Sequence, residues 1–325
     1  MATMLSKEAF DASRQFIESN ARRLEITRFQ YHFDGASNGP TIAALKDFQN
    51  ADGGFGHALE PDLRASESSA LCTSIAFQIF RSVRALHDDS VSSSTDYLLD
   101  TLDRKTGHWR IIPQSAEESP HAPWWNQTDR EDVFDCFSLN PTAEILGYLY
   151  DYQQHVPSGI ISLVSDRVIS HLSGLEKIEM HELLCCLRLL QTENLPENVH
   201  GLIQGKLSCL VDGTVARDPT QWEGYSLRPL QVADDPDSPF IASIEGPVAA
   251  NLDYEVSSQN EDGSWTPTWS WGDAYPDDWR KAQREWSGAI TLEKLLILKR
   301  FDRIEGLHNK AMHTDGNSAA LHSRR

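Results

Sequence analysis

Three acidic groups in the chain have the residue types and spacings from which chemistry could be built. The first is Glu60-Pro-Asp62-Leu-Arg64. The second is Asp129-Arg-Glu131-Asp132-Val-Phe-Asp135, followed by Asn140-Pro-Thr-Ala-Glu144. The third is Asp273 with Asp277 and Asp278. Carboxylates are hard oxygen donors suited to Mg2+, which keeps several waters and commonly bridges to phosphate oxygens. Glu131-Asp132-Val-Phe-Asp135 has D-D-x-x-D spacing, although in a chain with 48 Asp and Glu a solvated acidic loop is the plainer reading of that string alone. The metal candidates are Glu60, Asp62, Asp132, Asp135 and Glu144.

Aromatic residues sit near the same segments. Ser264–Trp279 reads SWTPTWSWGDAYPDDW, four tryptophans in 16 residues, and Trp124-Trp125 lies between two of the acidic groups. Ring faces stabilise positive charge that water is not allowed to approach. Trp124, Trp125, Trp269 and Trp271 are candidates to line a site, with packing as the equal alternative. Trp265 and Trp286 read as packing residues. The cations near the acids are Arg64, Arg130, Arg228, Arg280, Lys281 and Arg284. Arginine offers a planar fork to a phosphate and lysine a point charge. Arg228 and Arg280 are candidates to hold a diphosphate, with Lys281 or Arg64 assisting its departure; pairing with neighbouring acids is the competing fate. No His or Cys spacing resembles a zinc site, and no G-x-S-x-G elbow or phosphate loop is present. His57 reads as a hydrogen-bonded structural residue.

The elements that must position these groups are helical. Gln49–Leu63 (QNADGGFGHALEPDL) follows a helical pattern, turns on glycines that tolerate φ > 0, and recurs as Gln259-Asn-Glu-Asp-Gly-Ser-Trp265. Glycine sites at 53, 107, 159, 213 and 263 are spaced by 54, 52, 54 and 50 residues. That period is room for two helices and their connections. Apolar periodicity predicts helices over Ala9–Arg28, Ala70–Leu86, Ala143–Tyr152, His181–Leu190 and Ala289–Leu298. Strands of that length are less common, and hairpin turn chemistry is missing. The expected fold is all-α, an (α/α) toroid of about 10 to 12 helices. It occupies residues 1–306 as a single domain, with 307–325 a flexible polar tail. The long Pro- and Trp-rich connections are expected to meet over one mouth of the ring, above an apolar hollow.

Net charge of −19 argues against nucleic acid or an anionic membrane as partner. No apolar run approaches the ~20 residues of a spanning helix. Five cysteines without a C-x-x-C pair, and a start without a secretory core, point to reduced thiols in a cytoplasmic protein.

From about Ala9 to Gly306 the chain resembles single-domain α/α-toroid proteins that include the fungal humulene-synthase-like terpene cyclases. The strings that bear the likeness are QNADGGFGHALEPDLR (49–64), Pro123-Trp-Trp125, NPTAEILGYL (140–149), WEGYSLRPL (222–230) and SWTPTWSWG (264–272). The resemblance implies a sesquiterpene synthase that binds Mg2+, ionises farnesyl diphosphate and closes a humulene-type ring. Proton-initiated relatives use Asp-x-Asp-Asp, which Asp234-Asp-Pro-Asp237 and Pro276-Asp-Asp278 both miss. Protein prenyltransferases need a zinc set that Asp135-Cys136 does not supply. A glycan-acting (α/α) barrel and a non-catalytic toroid that binds a lipid or protein are the alternatives. Oligomeric state is left open.

Overall fold

A computed structural model describes residues 2–307, so the expected tail lies outside the described residues apart from Leu307. Among the described residues the regular structure is helical, with isolated β-bridges but no strand. In chain order the α-helices are α1 (Lys7–Asn20), α2 (Arg23–Asp34), α3 (Gly39–Leu45), α4 (Ala70–Ser82), α5 (Asp89–Thr101), α6 (Glu131–Phe134), α7 (Leu139–Asp151), α8 (Ser158–Gly174), α9 (Met180–Leu190), α10 (Glu197–Thr214), α11 (Pro229–Val232), α12 (Ile241–Ser257) and α13 (Pro276–Arg300).

Local chemistry sets the boundaries. Ser6, Ser69 and Ser138 start α1, α4 and α7 with hydroxyls that accept first-turn amide protons, and Asp88 does the same for α5. The helix expected over Ala9–Arg28 is two helices instead. The chain breaks into extended backbone at Ala21 and Arg22, where the Arg22 guanidinium turns away to the carbonyls of Ala58 and Leu59. α13 places Asp277 and Asp278 in its first turn and Lys299 and Arg300 in its last, each complementing the helix dipole.

The core is apolar and aromatic around α4 and α7. Phe77 stacks on Tyr148 at 4.7 Å and meets Tyr152 and Phe80 edge-on at 6.2 Å. Neighbour follows neighbour in space: α4 packs on α5 and α7, α7 on α8 and α9, α9 on α10 and α11, and α11 on α12. α13 then packs on α1 and α2.

The two copies of the glycine turn match almost bond for bond. In the first, Asn50 N donates to Gly54 O, Gly53 N to Asn50 O, and Gly54 N to Asp52 Oδ1. In the second, Asn260 N donates to Ser264 O, Gly263 N to Asn260 O, and Ser264 N to Asp262 Oδ1. Phe55 N and Trp265 N donate to Thr73 and Thr291 hydroxyls on the helix that follows each turn. The leading glutamine clasps the next outer helix. Gln49 Nε2 donates to Gly53 O, Ser90 O and Ser93 Oγ, while Gln259 Nε2 donates to Gly263 O, Ala9 O and Ser13 Oγ. Ser94 and Ser13 hydroxyls return a bond to Gly53 O and Gly263 O. α1 therefore stands to the second turn as α5 stands to the first. The unit that ends with α13 takes its outer helix from the start of the chain.

The five-glycine period holds only in part. Gly53, Gly107 and Gly263 are left-handed turn residues with φ of 87°, 75° and 85°. Gly159 lies in the first turn of α8 and Gly213 inside α10, both facing open space. A Cβ on Gly263 would lie 2.3 Å from the Ala12 carbonyl carbon. Gly263→Ala is expected to cost about 3 kcal/mol or more of stability, by strain and by backbone clash. Gly159→Ala is expected to be neutral or slightly stabilising. Urea unfolding of both variants checks the contrast.

Candidate functional site

The first acidic group forms the centre of the site. Asp62–Arg64 lies against the long connection before α7: Ala122 N donates to Asp62 O at 2.8 Å and Arg64 N to Pro120 O at 3.0 Å, with a bridge between Leu63 and His121. His121 is buried, and its ring nitrogens bond to Ser119 O and Asn126 Oδ1, which locks that loop. From the other end of the chain, Trp271 Nε1 donates to Asp62 Oδ1 at 2.7 Å and Trp269 Nε1 to Asp62 Oδ2 at 3.1 Å. Trp286 stands edge-on to Trp269 at 5.3 Å, and Tyr225 does so at 5.6 Å. The Tyr225 hydroxyl meets His181 Nε2 at 2.6 Å, and His181 Nδ1 meets Glu179 at 2.8 Å.

Both carboxylates are buried. Burial pushes Glu60 well above the ordinary carboxylate range, and repulsion from Asp62 adds to it. The Asp62 and Leu63 amides and Arg22 offset this only in part, and Glu60 Oε2 is buried without a hydrogen-bond partner. Burial also raises Asp62, opposed by the indole N–H groups of Trp271 and Trp269 and by Arg64; the Trp286 indole N–H lies nearby but makes no hydrogen bond. Two neighbouring carboxyls in a dry site do not both ionise readily. The indole donors of Trp271 and Trp269 favour charge on Asp62, whereas burial and the neighbouring carboxylate favour the acid form of Glu60. Cys72, whose thiol is raised to about 11 by burial, is no thiolate nucleophile here.

The cations beside the pair are already engaged. Arg22 bonds Glu25 through Nε and Nη2 at 2.9 and 2.7 Å, and Arg64 pairs with Glu285. Neither guanidinium is left free for a ligand, and the buried Arg28 stands close to Arg22 and Glu25 as well.

The remaining expected site residues lie elsewhere. Asp132 is exposed on α6, and Asp135, half exposed, pairs with Arg110. Glu144 is buried inside α7, held by Arg188 Nη1 at 2.7 Å and Gln78 Nε2 at 3.1 Å. The five acids expected to hold metal therefore do not gather: Glu60 and Asp62 stay together, while the second group divides between a solvated turn and an internal ion pair. Among the described residues no group of three or more His, Cys, Asp and Glu gathers in a metal-holding arrangement. Mg2+ is poorly served by Glu60 and Asp62 as well, since both Asp62 oxygens already accept indole N–H bonds. Arg228 is spent on Glu255, which also binds Lys294, and Arg280 pairs with Asp277 on the surface. Lys281 is exposed on α13. Trp124 is 38% exposed in the docked loop, and Trp125 beside it is half-buried with its indole N–H unpaired. Trp265 packs as expected, donating to Glu255 O, and His57 bonds Asn50 on the surface.

Sequence reasoning missed Trp286, Tyr225, Arg22 and Glu285. Tyr225 lay inside a quoted string, but Arg22 and Glu285 carried no local signal. Among the described residues no helix is long and apolar enough to cross a membrane. No protein-family model, no curated protein and no solved structure matches the chain.

Glu60 is stabilised in its acid form, so its folded pKa lies above the unfolded 4.5. Its contribution to stability is full below pH 4.5 and is lost as pH rises through the folded value. Glu60→Gln is expected to flatten the fall of stability above pH 4.5, as read by denaturant unfolding at a series of pH values. Trp271→Phe, which leaves Asp62 short of a donor, is expected to cost about 1 to 3 kcal/mol in the same measurement.

Proposed function

We propose that the helix pairs close into an α/α toroid and that the chain is a cyclase for an isoprenoid chain, with its chemistry at Glu60 and Asp62. One observation supports this most. Segments from four of the five strings that bear the terpene-cyclase likeness meet around Asp62: 49–64, 123–125, 222–230 and 264–272. Glu60 supplies a proton to a substrate double bond, which breaks the O–H bond and leaves a carbocation. The Asp62 carboxylate and the faces of Trp269 and Trp286 stabilise that cation as the ring closes. Loss of a proton from the product cation to the Glu60 carboxylate restores the starting state, so the net reaction is an isomerising cyclisation.

Departure of diphosphate with Mg2+, which the resemblance implies, is less well served. The residues gathered here offer no donor set for the metal, and the two guanidiniums beside the acids, Arg22 and Arg64, are already paired with Glu25 and Glu285. A second reading, cleavage of a glycan, draws on the exposed rings of Trp124, Tyr225 and Tyr275 (38, 55 and 44%) near the acid pair. Exposed rings of this kind can serve as sugar platforms, and an acid beside a carboxylate is the pair such cleavage uses.

One assay separates the three. The protein is incubated with farnesyl diphosphate, squalene or 2,3-epoxysqualene, each with Mg2+ or with EDTA, and extracts are analysed by gas chromatography and mass spectrometry. The expected outcome is a cyclic product that survives EDTA and falls at least about a hundredfold in Glu60→Gln. Product from farnesyl diphosphate that EDTA abolishes would replace the proton-initiated route with metal-assisted ionisation. No product, together with reducing ends released from an oligosaccharide panel, would replace the cyclase by a glycosidase.

A further inference from the structure

A third turn departs from the two glutamine-clasped ones, and a cavity opens beside it. Asp103-Arg-Lys-Thr-Gly107-His-Trp109 keeps the left-handed glycine, and Trp109 Nε1 donates to Leu98 O as Trp265 Nε1 does to Glu255 O. It has Asp103 where the other turns have the clasping glutamine, and Lys105 and Thr106 replace the residues just before the glycine. The outer helix is consequently held off. Gly53 and Gly263 approach backbone atoms of α5 and α1, whereas a Cβ on Gly107 would first meet side-chain atoms of Arg167 and Leu163 on α8, at 2.9 and 3.4 Å. The gap is a surface cavity of about 440 Å3 lined by Lys105, Thr106, Phe137, Arg167, Ser170 and His171.

The lining is unusual for a chain with 29 basic and 48 acidic residues. Most cations close to a fold-defining element here are paired, as Arg22, Arg64, Arg81, Arg188, Arg228 and Lys294 are. Among the described residues Lys105 and Arg167 have no ion pair or side-chain hydrogen bond, and the Ser170 hydroxyl is unbonded. Arg167, Ser170 and His171 follow at i, i+3 and i+4, so they share one face of α8. The one acid in the turn, Asp103, is turned onto Lys105 N at 2.8 Å and the Thr106 hydroxyl at 2.6 Å. Phe137 forms part of the wall, with the His171 ring tilted against it at 5.0 Å and His108 edge-on behind it at 5.7 Å. Lys105 and Arg167 both line the cavity without an ion pair of their own, and an anion seated between them would relieve their mutual repulsion.

We propose that this cavity is a binding site for a small phosphate-bearing anion. The Arg167 guanidinium takes phosphate oxygens through its planar fork, Lys105 supplies a second charge, and Ser170 and His171 donate hydrogen bonds. The site is separate from Glu60 and Asp62 and does not rest on the cyclase reading.

The test is calorimetric titration of the full chain with inorganic pyrophosphate at low ionic strength. Saturable one-to-one binding is expected, weakened at least about tenfold in the double variant Lys105→Ala, Arg167→Ala. Arg23→Ala, a surface cation on α2 paired with Asp47, is expected to bind unchanged. In the unmutated chain the His171 imidazole resonances should shift with the same constant. Absence of saturable heat overturns the proposal. Equal weakening by Arg23→Ala does so too, because it would mean diffuse attraction. Unmoved His171 resonances overturn it whether or not the variants fold.

Discussion

The amide of Gln259, laid across the backbone of α1, is the contact on which the rest of the molecule depends. It joins residues 250 positions apart, and with Gly263 it seats the last glycine turn against the first helix. That seating holds α13 beside α1 and α2. It is α13 that delivers Glu285 to Arg64 and Trp286 to the neighbourhood of Asp62. Two residues near position 60 thus owe their surroundings to a segment more than 200 residues away. No local preference of the Glu60-Pro-Asp62 stretch could have produced the site.

The same dependence explains what was legible beforehand. α4, α7, α9 and the second half of α13 were readable because broad apolar faces at helical spacing leave few other conformations. The two Gln-x-x-Asp-Gly turns were readable because left-handed backbone next to a crowded helix selects glycine. Gly159 and Gly213 looked like further turns only because they fell on the period; inside helices with nothing near them they mark no turn. The break at Ala21–Arg22 was hidden, since its cause is a pair of carbonyls at Ala58 and Leu59 that sequence does not place there.

The site was legible only in its first acidic group and part of its aromatic shell. Residue type does not distinguish an acid bound for the interior from one bound for solvent. Asp132 is solvated, Glu144 completes an internal ion pair, and Asp62 becomes a buried acceptor for indole donors. The expected metal ligands are dispersed, and Asp62 is given two tryptophan donors instead. The tryptophans matter as much for their N–H groups as for their rings. Their hydrogen bonds favour charge on Asp62 against its burial.

Sharing a helix between the two ends of the chain also has a consequence for how the molecule is made. α1 emerges from the ribosome early, yet its clasping partner follows 250 residues later. At roughly 5 to 20 residues per second, that is a wait of about 10 to 50 s. Phe10 can meet Phe29 and Phe33 of α2 at once, but the contact of α1 with α13 must wait for that later helix. α1 is thus made well before the elements that complete its packing, and the interval is when a chaperone would have part of its surface to hold.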